Sequence, residues 1–233
     1  MKRSTSAVLG SSVLALLAAA SVGAGTASAA GHSHATKGAT KTVTLKATLT
    51  ELNNSGASGT ATAVVRNQKI QHIEVHAKGL TPDAPHAQHI HYGQQALNEC
   101  PTLALDSNKD GRLNTVEGIP AYGPVVVSLN TTGDTTPASF LDVGRFPVSS
   151  NGSYSYSRDN IEFTDVAGTG YSGGGGTAKQ IADSVREGEG VLVIHGLDYD
   201  GSGAYSLSRE GASELNANLP AEATDPAACG VLR

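Results

Sequence analysis

The sequence predicts an all-β protein, an antiparallel β-sandwich with long loops and one short late helix. Three observations carry this prediction. Apolar and polar residues alternate with period two over several short runs. Glycine is abundant, at 28 residues, and tryptophan is absent. Only one stretch of the chain combines a capping residue, helical spacing and a glycine stop. Short, strict alternation bounded by turn residues marks a half-buried strand.

In chain order, residues 1–29 read as a secretory signal peptide. Lys2 and Arg3 open it, an apolar run follows from Ala7 to Val22, and small residues close it with an A-x-A pattern at Ala27 and Ala29. The run is too short and too rich in alanine and glycine for a membrane anchor. The expected mature protein is therefore secreted and not membrane-bound. Cleavage after Ala29 would expose Ala30-Gly31-His32. Its amine, two amide nitrogens and an imidazole can form a square-planar site that suits Cu(II) or Ni(II). Cleavage after Ala30 would remove that site. Residues 30–40 read as a flexible segment before a domain spanning 41–233.

"KTVTLKATL" (41–49) places Val43, Leu45 and Ala47 on one face, and "GTATAVVR" (59–66) repeats the habit. In "KIQHIEVHAKG" (69–79), Ile73 and Val75 face the core, while His72, Glu74 and His76 face solvent. "AQHIHY" (87–92), "GPVVVSLN" (123–130), "GSYSYSRD" (152–159) and "GVLVIHGL" (190–197) supply further strands. Thr177 is the expected cap of a helix over 178–188, and Gly188 its stop. The glycine-rich run before it (168–177) carries no Walker-type lysine, so no phosphate-binding role is expected there.

The formal net charge is −5, and about −7 once Lys2 and Arg3 leave with the signal, which holds no acidic residue. That balance argues against nucleic acid and anionic membranes as partners. The chain has two cysteines, Cys100 and Cys229. An even count in an exported chain points to a disulfide, with two free thiols as the alternative. The bridge would close a loop of about 130 residues, for which chain entropy suggests roughly 5 kcal/mol.

"DSNKDGRLNTVE" (106–117) fits the twelve-residue calcium-loop template. Asp106, Asn108 and Asp110 supply oxygens at positions one, three and five, and Gly111 permits the turn. Arg112 offers a backbone carbonyl, Asn114 stands at position nine, and Glu117 can grip the ion with both oxygens. A single structural Ca²⁺ is expected, because no clear helix pair flanks the loop. "DYDGSG" (198–203) starts alike, but Arg209 stands at its twelfth position, so it reads as a turn.

"HAQHIHYG" (86–93) sets three of the eight histidines within six positions. On a strand His89 and His91 share a face and can address one ion, with Ile90 in the core. A lone histidine on an apolar strand, as His195 is, is more often a satisfied core residue, but here it has candidate partners elsewhere in the chain.

These residues carry a resemblance. "HAQHIHYG" resembles the H-x-x-H-x-H strand of copper/zinc superoxide dismutases, "VLVIHGLDYDG" that family's later V-V-H strand, and "AACGVL" (227–232) its C-terminal A-C-G-V motif. The similarity covers roughly residues 40–233, with gaps. It implies a Greek-key sandwich, copper held by His89, His91 and His195, and His86 as a structural hydrogen-bonding residue beside the site. It also implies a Cys100–Cys229 bridge, with superoxide or copper ion as the small ligand. The family's bridging and zinc-binding residues are missing: no histidine lies between His91 and His195, and Asp142 and Arg145 replace the zinc-binding His and Asp. No zinc is expected. Pro226 stands where the family has its guiding arginine, and Arg145 would substitute only if the fold brings it to the mouth of the site.

"GLTPDAPHAQHIHYG", "GPVVVSLNTTGD" and "IADSVREGEGVLVIHG" are also similar to chordin-type (CHRD) repeat domains, over much of residues 43–197. The sequence thus supports a secreted copper-binding protein of the dismutase-like kind, with superoxide disproportionation as the implied activity. The alternative is a calcium-stabilised, non-enzymatic extracellular module of the CHRD-like kind.

Overall fold

A computed structural model describes residues 42–168, 174–208 and 210–233. The expected signal peptide, the 30–40 segment with its Ala30-Gly31-His32 motif, Arg209 and part of the glycine-rich run lie outside the described residues. Among the described residues, no helix is long and apolar enough to cross a membrane.

The protein is mostly antiparallel β-structure. Its strands are β1 (Thr42–Glu51), β2 (Ser58–Arg66), β3 (Lys69–Lys78), β4 (Gln88–His91), β5 (Val125–Ser128), β6 (Ser153–Glu162), β7 (Gly190–His195) and β8 (Pro226–Leu232). They form one eight-stranded sheet in the order β5-β4-β7-β8-β1-β2-β3-β6. β1 joins the two halves. It pairs with β2 along most of its length, while its end, Thr50 and Glu51, pairs with Cys229 and Ala228 of β8. The sheet curls there, so both halves cover one core. Ile73, Val75 and Tyr156 come from one side, and Ile90, Leu192 and Ile194 from the other. Close approach at the junction requires Gly230, where a Cβ would lie 2.5 Å from the Thr48 carbonyl oxygen.

The alternation holds residue by residue. Leu45, Ala47 and Leu49 are buried on β1, and Ala61, Ala63 and Val65 on β2. On β3 both Ile70 and Ile73 are buried, three apart, because a bulge opposite Val64 and Val65 leaves Gln71 unpaired with β2 and resets the phase. His72 and His76 stand on the outer face, as expected. They meet Asp159 and Ser155 across the strand pair with β6.

Three short α-helices are described rather than one. The late helix is present as α2 (Ala178–Ser184), with a reciprocal Thr177–Gln180 capping box, and the chain leaves the helical path at Gly188 (φ 93°). α1 (Thr115–Tyr122) begins within the last three positions of the calcium-like loop, a helix on one side that the sequence reading did not foresee. Gly118 and Pro120 within it hide the helical signal, yet Asn114 and Glu117 form a capping box that starts it. α3 (Ala221–Thr224) is a single turn before β8.

A smaller apolar cluster lies on the opposite face of β7. Val191 and Val193 pack there with Tyr122 of α1 and with Cys229. The expected disulfide is formed: Cys100 and Cys229 are bridged with Cα atoms 5.7 Å apart. It ties the 93–124 excursion, which carries α1, to β8. Replacing both cysteines by serine should cost about 2–5 kcal/mol, read as a lower urea midpoint. The wild type should shift likewise under reductant, and the double variant should not respond to reductant.

Candidate metal centre

The register of two strands builds the centre. β4 lies between β5 and β7, with His89 opposite Val193 and His91 opposite Val191. Val191, Val193 and His195 alternate on β7, so His195 shares a face with His89 and His91, one diagonal step along. One ring nitrogen from each of the three residues lies within 4.8 Å of the others. Ring centroids stand 5.1 Å (His89–His195), 5.6 Å (His89–His91) and 6.0 Å (His91–His195) apart. His195 is thus no isolated core histidine.

Each imidazole is tied through its other nitrogen to a backbone carbonyl. His89 Nε2 reaches the Phe140 oxygen at 3.1 Å, His91 Nδ1 that of Gly123 at 2.9 Å, and His195 Nδ1 that of Thr224 at 2.6 Å. A carbonyl only accepts, so each of these nitrogens carries the proton. The opposite nitrogens, His89 Nδ1, His91 Nε2 and His195 Nε2, hold lone pairs with no protein partner. They are three of the seven such buried side-chain atoms among the described residues. An unmet buried polar atom costs about 1–3 kcal/mol, so three gathered at one point call for a ligand. Metal–nitrogen bonds of about 2.0–2.1 Å need nitrogens roughly 3.4 Å apart, a spacing within the observed envelope. The donor set therefore fits one metal ion, which imidazole supplies well for copper, zinc, iron or nickel.

Burial keeps the rings neutral. It pushes His91 down to about 3 and His195 to about 4, with the His195 charge adding to the shift at His91. His89 is held well below its ordinary value by burial and then by the neighbouring His195 and His91. Phe146 packs edge-on against His89 at 5.4 Å, and Tyr122 lies 4.4 Å from His91. The Gly123 carbonyl takes its place on a backbone of φ 84°, where a Cβ would strike the Gly93 nitrogen at 2.5 Å.

His86 stands outside the trio. Its Nδ1 lies 3.0 Å from the His195 carbonyl oxygen and its Nε2 3.1 Å from that of Thr81. It thereby braces the backbone that carries His195. Arg145 does not serve the site: its guanidinium is paired with Asp142 and donates to the Thr132 carbonyl, and it does not line the cavity above the histidines. Pro226 opens β8 opposite His195.

The calcium-like loop folds onto its own side chains. Asp106 accepts from the Lys109 and Gly111 amides, Asn108 from Asp110, and Asp110 from Arg112. Glu117 accepts from Ser107, through its amide and hydroxyl, and from the Asn114 amide, while Asn114 caps α1. Among the described residues, the acidic group whose ligand atoms converge within 4.8 Å is Asp198, Asp200 and Glu222. "DYDGSG" was expected to be a turn without a closing carboxylate. Instead α3 supplies the buried Glu222, which accepts from the Tyr199 and Ser206 amides and the Ser208 hydroxyl. No local spacing could have signalled that partner. This cluster too could hold a metal ion.

Arg112 links the calcium-like loop to the centre. Its guanidinium pairs with the buried Asp225 and with Glu214. Asp225 follows Thr224, whose carbonyl receives both His195 Nδ1 and the Thr115 hydroxyl, the latter at 2.5 Å. Compared with protein-family models and with curated proteins, the chain matches none. Arg112→Ala should destabilise the protein by about 1–3 kcal/mol, because Asp225 loses a charge-assisted hydrogen bond while its carboxyl, already raised to about 7, takes up a proton. Adding Asp225→Asn should recover part of the loss in a thermal or urea melt, whereas strictly additive losses would refute the pairing.

Proposed function

We propose that this is a secreted copper-binding protein of the superoxide dismutase-like kind, holding one ion by His89, His91 and His195. The observation that carries the reading is the trio of buried, neutral imidazoles, each with its tautomer set by a backbone carbonyl and its other nitrogen without a protein partner, in a cluster that brings one nitrogen of each within 4.8 Å of the others. The dismutase-like motifs around these histidines favour copper among the ions imidazole suits. Copper would supply one-electron redox chemistry when bound. The chain's own part is to fix three donors, exclude bulk water on the sheet side and keep one approach open. With Arg145 committed to Asp142, no arginine among the described residues stands at the cavity wall to draw in an anion. Metal holding is therefore the function the geometry supports best, with superoxide disproportionation as the activity the resemblance adds.

With His32→Ala in every variant, to remove the Ala30-Gly31-His32 site, the mature protein should bind one equivalent of Cu(II), with nitrogen hyperfine structure in its electron paramagnetic resonance spectrum. His195→Ala should weaken binding by more than the 10–100-fold that losing a supporting partner typically costs (about that range). His72→Ala and His76→Ala, on the outer face of β3, should leave the stoichiometry unchanged. Equal copper uptake by wild type and His195→Ala would reject the site.

A calcium-stabilised module without redox chemistry is the second reading. It is favoured by the inward turn of Asp106, Asn108 and Asp110 at template spacing. Ca²⁺ should then protect residues 100–145 from proteolysis, and Asp106→Ala should abolish that protection. Identical digestion with calcium and with chelator would exclude an ordering role for the ion.

A further inference from the structure

Above the three imidazoles lies a cavity of about 360 Å³. Its floor is His89, His91 and His195, and Ile119, Pro137, Phe140, Leu141, Val143 and Leu215 contribute to its wall. Among the described residues, no Asp, Glu, Lys or Arg lines it. The Thr115 hydroxyl, also at the wall, already donates to the Thr224 carbonyl. The wall draws on α1, the 137–143 stretch after β5, Val166 between β6 and α2, and the chain before α3.

We propose that this cavity binds a mainly apolar small molecule that places one donor atom on the metal. The inference rests on the metal reading above and names the ligand class of the same site. The volume falls in the range of small-molecule pockets, about 300–1,000 Å³. Three neutral imidazoles leave the ion's charge free to attract a donor atom of either kind, so the floor does not select against an anion; the walls reward only apolar surface. An apolar body gains from every wall residue it covers, and the ion's remaining position fixes its orientation. The walls therefore select by apolar contact and the floor by a single coordinate bond.

The test uses mature protein loaded with Cu(II), with its copper content measured first. Imidazole, 4-phenylimidazole and azide are titrated separately, and the copper spectrum is followed. The phenyl group should tighten binding over imidazole by about tenfold or more, and azide affinity, set by the ion, should be unchanged by Val143→Ser. Leu141→Asp, and separately Val143→Ser, should narrow the gap between the two imidazoles. Equal affinities for the two imidazoles would overturn the apolar pocket while leaving the metal site standing. A gap that survives both wall variants would also overturn it. Failure of the wild type to take up copper would overturn both readings at once.

Discussion

The antiparallel pairing of β4 with β7 is the constraint on which the site depends. His89 opposite Val193 and His91 opposite Val191 place His195 diagonally beside its partners. Because side chains alternate across a sheet, a slip of one residue would send all of one strand's histidines to the opposite face. The register is held by the core side of the same strands, where Ile90, Leu192 and Ile194 are buried. Hydrophobic burial on one face thus sets the position of metal-ligating groups on the other.

That second face would ordinarily be solvated in an antiparallel sheet. Here it is covered, and the cover is fastened by a disulfide, by the Arg112–Asp225 pair and by the double acceptor at Thr224. These links also bear on the electronic state of the centre. Each histidine is oriented by a carbonyl from a different segment: Phe140, Gly123 or Thr224. Such partners choose the tautomer and therefore the nitrogen that is free to bind. Burial pushes Asp225 up to about 7, so the segment beside Thr224 depends on its guanidinium partner.

Much of the fold was legible in the sequence because strand periodicity is local. Seven of the eight strands follow from alternation and apolar runs, and α2 from Thr177 and Gly188. β8 escaped because "PAACGVL" is buried almost throughout, so it has no alternation to read, and it opens with proline. α1 escaped because Asn114 and Glu117, which cap it, also satisfy positions nine and twelve of a calcium template. One spacing served two structures, and the sequence offered no way to weigh them. Glu222 escaped because it belongs to a helix turn outside the loop it completes.

By itself the sequence determined which side chains share a face along each strand: His89 with His91, and His195 among valines. It also settled which cysteines could pair, since only two are present. Tertiary structure alone decided that β4 and β7 are neighbours, which nitrogen of each ring stays free, and that the space above them is apolar. The physical reason is range. Alternation and capping are set by residues a few positions apart, whereas the carbonyls, walls and third ligand reach the site only when distant segments close over a common sheet.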